Sequence, residues 1–186
     1  LASRRQRQMC IRDSFISAQD LLNEVNKDAI RFMMLNRSND MELDFDFEKV
    51  KEKTKDNPVY YVQYAYARIN SIARTLKKNL KDEIYVNTKS FNFNEYEEKM
   101  YRKVFEWPTV IESAAYKLEP HKIPFYLYEL STLFHSYWSK GNEDRKFRFI
   151  EKGVLKRFES FVFLYLIAIV IKNGMNILGV SLPEKM

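Results

Sequence analysis

Apolar residues recur at intervals of three and four along most of this chain, the spacing that lines one face of a helix. After Ser17, which can cap a first turn with Asp20 three positions on, Leu21, Leu22, Val25, Ala29, Phe32, Met33 and Leu35 keep that rhythm, with a bend near Asn26 dividing the run in two. Asn36 to Asp46 reads as a loop leading into a short helix around Phe47 to Thr54. Asn57 then supplies an N-cap and Pro58 the first position of a helix reaching about Lys78, whose buried stripe is Val59, Val62, Tyr66, Ile69, Ala73 and Leu76. Lys81 to Asn94 is polar and β-branched, an extended loop. Asn94 caps a helix carrying Tyr96, Met100, Val104 and Phe105; Pro108 opens another with Val110, Ile111, Ala114, Ala115 and Leu118 on its apolar face. Pro120 and Pro124 bracket the entry to a helix from Ile123 to Ser139. Gly141 and Asn142 predict a turn, followed by a helix from about Asp144 to Asn173 that is polar first and then apolar all round, with Gly174, Gly179 and Pro183 closing the chain. The expected fold class is all-α, a helical bundle.

The helix after Pro58 carries a second stripe. Tyr61, Tyr64 and Arg68 cluster roughly 140° from the centre of the apolar one at about 100° per residue. Two rings and a guanidinium on one face suit unstacked RNA bases and their phosphates. From spacing alone the favoured reading is a second layer of helices covering this face, with tyrosine hydroxyls at the edge of a wider core.

Composition supports long helices: 186 residues contain 4 Gly and 5 Pro, with 46% hydrophobic and 15% aromatic content, enough for one core. A net charge of +6 suits a polyanionic partner and also an ordinary solvated surface. Cys10 is the single cysteine, so no disulfide framework or thiolate metal site is expected, and a cytoplasmic location follows. His121 and His135 have no acid or serine partner at a recognisable spacing, which favours structural roles, and Asp44 with Asp46 reads as a solvated acid pair. The apolar run Phe161 to Ile171 falls short of the roughly 20 residues that span a bilayer, so it is read as a core helix, with peripheral membrane attachment ranked last. Residues 1–14, rich in Arg and without apolar period, read as a non-native leader, the alternative being a basic RNA-binding arm. No phosphate-cradling glycine loop or nucleophile elbow occurs.

Asp28-Ala29-Ile30-Arg31 resembles the Asp-Ala-Leu-Arg motif of the anticodon-binding domain shared by arginyl-tRNA synthetases and some relatives. The likeness continues through Arg31 to Ser38, Leu43 to Asp46, and Asn57-Pro58-Val59-Tyr60-Tyr61-Val62-Gln63-Tyr64-Ala65-Tyr66-Ala67-Arg68. Leu118 to His121, Phe134-His135, Asn173 to Val180 and Pro183 to Met186 extend it, so that it covers about Phe15 to Met186.

The resemblance implies the helical bundle of the class I aminoacyl-tRNA synthetase anticodon-binding type. Residues 15–56 become a helical connector following a catalytic domain, and 57–186 the bundle that receives the anticodon stem and loop. It implies RNA-binding roles for Tyr61 and Tyr64, with Arg68 beside them on the same stripe and Met186 near the same loop. Arginine tRNA and the chain's own catalytic domain are the implied partners; a monomer without membrane association is expected. The Lys-Met-Ser-Lys loop of the family is replaced by Cys10 to Ser14, and its His-Ile-Gly-His motif is absent. Hence no catalytic residue and no metal site is expected in this fragment, and ATP with magnesium is implied only for the parent enzyme. A helical protein-interaction module is the alternative.

Overall fold

The computed structural model describes residues 18–41, 50, 57–76, 93–156 and 158–186. The expected leader, the Ser17 cap, the Asp44 and Asp46 pair, the short helix near residue 50 apart from Val50 itself, and all but the last two residues of the 81–94 loop lie outside them.

Seven α-helices occur among the described residues: α1 (Ala18–Glu24), α2 (Lys27–Leu35), α3 (Pro58–Thr75), α4 (Glu95–Phe105), α5 (Trp107–Tyr116), α6 (Lys122–Glu143) and α7 (Phe158–Leu178). The bend at Asn26 is real: its side chain accepts from the Asp28 amide at 2.8 Å and caps α2. Asn57 caps α3 with Pro58 in the first turn, and its side-chain amide donates to the Val50 carbonyl at 2.9 Å. Asn94 caps α4 in a reciprocal box with Glu97. Glu97 is fully buried, accepting from Tyr137 and Ser160 hydroxyls at 3.0 Å each, so its carboxylate ties α4 to α6 and α7.

The long helix α6 packs against α3, α4, α5 and α7, and α7 in turn contacts α2, α3 and α4. Phe161, Leu164, Ile167, Ile171, Met175 and Leu178, at steps of three and four, line the buried side of α7. The predicted stripe of α3 is also buried, with Leu76 only partly so.

Four sequence expectations are corrected. Gly141 does not begin a turn: α6 runs on to Glu143, and the missing side chain lets the backbone of Phe147 and Arg148 approach, since a Cβ there would meet the Phe147 carbonyl at 3.1 Å. No helix starts at Asp144. A 3₁₀ turn (Arg145–Phe147) leads into a hairpin of β1 (Ile150–Glu151) and β2 (Val154–Leu155), paired Ile150 to Leu155 and Glu151 to Val154. Its two tip residues, Lys152 and Gly153, both have positive φ (50° and 77°), which reverses the chain and breaks any helix through this point. Gly174 lies inside α7, which continues to Leu178. Finally, the predicted faces of α4 and α5 are too wide. Phe105 and Ala115 are exposed, and Leu118 sits beyond the end of α5 with φ 55°, in the place glycine usually takes. The Glu119 amide reaches back to the Ala114 carbonyl at 2.9 Å, closing α5 and turning the Leu118 side chain outward.

Candidate functional site

The second stripe of α3 faces α6 and the last residues of the chain across a cleft of about 1010 Å³. Tyr61, Tyr64, Arg68 and Met186, the four residues singled out in the sequence, all line it. The helical repeat places Tyr61, Tyr64 and Arg68 three and four apart along one side of α3. Tyr61 is half-buried, whereas Tyr64 is 41% exposed and presents its ring to the opening.

α6 contributes what the sequence did not reveal. The His135 ring sits 4.4 Å from the Tyr61 ring and 5.7 Å from that of Tyr64, nearly parallel to the latter at 25°. Tyr128, two turns nearer the start of α6, lies 5.2 Å from the Tyr61 ring at 39°. His135 Nε2 lies 3.2 Å from the Tyr61 carbonyl oxygen. Burial, with a smaller contribution from the Arg68 charge, drives the His135 pKa down to about 4, against the opposing pull of that carbonyl. The imidazole is therefore neutral near pH 7, and the proton on Nε2 donates to Tyr61.

Arg68 is held on both sides. Its guanidinium carbon is 4.3 Å from the Tyr64 ring centre and 5.0 Å from that of Trp138, and it donates to the Tyr64 hydroxyl at 2.8 Å. A guanidinium fixed in this way is ordered before any ligand arrives, so less rotamer entropy is lost on binding.

The third wall is residues 181–186. Gly179 (φ 65°) ends α7, with the Val180 amide donating to the Met175 carbonyl and the Gly179 amide to that of Asn176, a paired closure that turns the chain back along α3. Gln63 then donates to the Ser181 carbonyl at 2.9 Å and Arg74 to that of Glu184 at 2.9 Å. Ser181 donates to the Asp28 carboxylate, and Arg31 to the Leu178 carbonyl. The Asp28 and Arg31 side chains of the four-residue motif thus hold this tail, while Ala29 and Ile30 between them are buried in the core. Lys185 and Met186 are thereby brought to the cleft beside Tyr64.

The cleft is an aromatic slot with a fixed cation at one side, a lysine at another and one carboxylate side chain, Asp28. Burial and that carboxylate both raise the Tyr60 pKa, which keeps its hydroxyl protonated as a donor. No group of three or more His, Cys, Asp or Glu able to hold a metal occurs among the described residues. His121 lies away from the cleft, edge-on to Phe125, with its Nδ1 buried. Nothing on α3 alone signals His135, because its relation to the tyrosines arises from the packing of α3 against α6.

The arginine–tRNA ligase of Pelagibacter ubique is 53% identical to this chain over 172 residues, and that of Rhizobium etli 40% over 178. In each case the match takes in 92% of this chain, and the chain spans about 30% of the relative's length. A solved arginyl-tRNA synthetase structure from Campylobacter jejuni superposes on 93% of this chain and 36% of its own, with a TM-score of 0.78 at 26% identity. One from Plasmodium falciparum shares the fold at a TM-score of 0.68 and 17% identity, over 98% of this chain and 30% of its own. Residues 62–186, the stretch holding all but the first turn of α3, the whole of α4 to α7 and every wall of the cleft except those from Asn26, Asp28, Tyr60 and Tyr61, match the DALR anticodon binding domain, and the chain belongs to that family.

Proposed function

We propose that this chain recognises the anticodon stem and loop of arginine tRNA as part of an arginine–tRNA ligase. One observation carries the reading: in a DALR-family bundle, Tyr61, Tyr64, Arg68 and Met186 converge on a single cleft with an exposed ring at its mouth. An unstacked base entering the slot stacks on Tyr64, and its sugar–phosphate meets Arg68 or Lys185. Tyr61 and His135 form the apolar back wall. Neutral His135 supports the rings without adding charge.

Arginine activation with ATP and magnesium, and esterification of the tRNA, belong in this reading to a separate catalytic domain of a cytoplasmic, monomeric enzyme. The Lys-Met-Ser-Lys and His-Ile-Gly-His motifs have no counterpart in the sequence, so no step with ATP is assigned to any residue of this chain. By itself it is a binding module.

The test is equilibrium binding of the chain to an arginine-tRNA anticodon stem-loop, beside the same hairpin with an altered loop. Replacing Tyr64 by Ala should weaken cognate binding by on the order of 1 to 3 kcal/mol, the contribution of one stacked base, and narrow the gap between the two hairpins. Unchanged affinity in the Tyr61→Ala/Tyr64→Ala double variant would remove the assignment.

A further inference from the structure

The cleft accounts for few of the positive charges on this chain. Residues 145–156 hold five Lys or Arg and one acid, a net +4 where the whole chain carries +6. The fold makes them a compact projection: the 3₁₀ turn, then β1 and β2 closed by the tight Lys152-Gly153 tip. Two of its cations have work inside the fold, since Arg148 donates to the Gly141 carbonyl at 2.8 Å, and Lys156 donates to the Arg145 carbonyl at 2.7 Å and lies 3.6 Å from Glu151. Arg145, Lys146 and Lys152 are exposed, and no ion pair to an acid engages them among the described residues. Arg145, Lys152 and Lys156 line a shallow hollow of about 450 Å³ together with Glu151.

A cluster of lysines and arginines is ordinarily just a solvated face. Here the base of the cluster is packed against the helix that lines the cleft. The Arg68 guanidinium lies over Trp138, the Trp138 ring packs at 6.3 Å from that of Phe149, and the Phe149 carbonyl accepts from the Lys156 amide at 3.0 Å. Arg68 is thus linked through two aromatic residues to the base of the hairpin. The backbone of the tip is defined as well, because a two-residue turn with both φ positive sets the position of the Lys152 Cα relative to β1 and β2. Uncompensated cations on a backbone anchored through Phe149 to Trp138, the α6 side chain that stacks on Arg68, meet the requirements of a polyanionic strand.

We propose that the 145–156 hairpin is a second RNA-contacting surface, which grips the phosphodiester backbone beside the base seated in the cleft through Arg145, Lys146 and Lys152. This rests on the RNA reading of the cleft. It adds a contact without sequence preference, carried by charge, to one that reads the loop.

The experiment compares three forms of the chain by RNA binding across a salt series, with helix content checked by circular dichroism. They are wild type, the neutral variant Arg145→Gln/Lys146→Gln/Lys152→Gln, and the charge-preserving variant Arg145→Lys/Lys146→Arg/Lys152→Arg. The neutral variant should bind about tenfold or more weakly at low salt, by the same factor for cognate and altered-loop hairpins. Its plot of log affinity against log salt should be shallower by about one unit for each lost phosphate contact. The charge-preserving variant should keep both values. A neutral variant with wild-type affinity and slope, while Tyr61→Ala/Tyr64→Ala still weakens binding, overturns the hairpin surface and leaves the cleft reading standing. Equal weakening in the charge-preserving variant also overturns it, since charge would then not be the cause. Failure of wild type to bind any RNA removes the cleft reading and the hairpin with it. Binding of wild type, but not the neutral variant, to phosphatidylserine vesicles, with RNA affinity equal in both, assigns the charge to lipid and overturns the proposal.

Discussion

His135 shows how one neutral side chain shapes a site through the rings it packs against. Its folded pKa of about 4 lies below the ordinary value of 6.5, so the unfolded chain takes up the proton first as pH falls. Stability from this group is therefore complete above about pH 6.5 and is lost progressively between there and about 4; the full span is roughly 3 kcal/mol at 1.36 kcal/mol per pH unit. Urea denaturation of wild type and His135→Asn at pH 7 and pH 5 should show a steeper loss in wild type, and equal slopes would place the cause elsewhere. At this same scale the capping residues Asn57 and Asn94 were readable, because a cap is defined by its own next three positions. His135 was not readable as a neighbour of Tyr61: the two are 74 positions apart, and only helix packing joins them.

Element by element, helices with strong start signals matched expectation and the segment after α6 did not. Glycine has opposite meanings at three places that look alike in the sequence: inside α6 at Gly141, at a hairpin tip at Gly153 and past a helix end at Gly179. The packed surroundings decide among them, which is why 144–173 reads as one helix until Phe149 is seen pinned between Phe134, Tyr137 and Trp138. The end of α7 provides a test. A side chain at Gly179 is disfavoured by its φ of 65°, and its Cβ would come within 2.8 Å of Arg31 Nε. Gly179→Ala should cost about 1 to 2 kcal/mol in urea denaturation, and because residues 181–186 form a wall of the cleft, RNA affinity should fall with it. Affinity equal to wild type would mean that this wall does not take part in binding.

For the whole molecule, the decisive question is where the apolar surface of α7 goes. Residues 160–178 are long and apolar enough to cross a membrane, yet 56% of that window is buried against other helices. Leu164, Ile167 and Ile171 are wholly enclosed. Leu164→Ala should therefore remove about 2 to 5 kcal/mol of folding stability by leaving a cavity at the centre of the bundle. A helix whose apolar side served a bilayer would tolerate that change with little loss. The bundle itself was legible because its stripes are long and regular. The cleft was legible in part, since a stripe of Tyr61, Tyr64 and Arg68 is visible on one helix, but whether it lay open depended on α6 and the tail.

Asp28 and Arg31 clasp the residues that follow α7, with about 150 positions of chain between each pair. The four-letter signature thus fastens α2 to the wall bearing Met186. The wall bearing Met186 is therefore held from α2, through Asp28 and Arg31, as well as from α3, through Gln63 and Arg74.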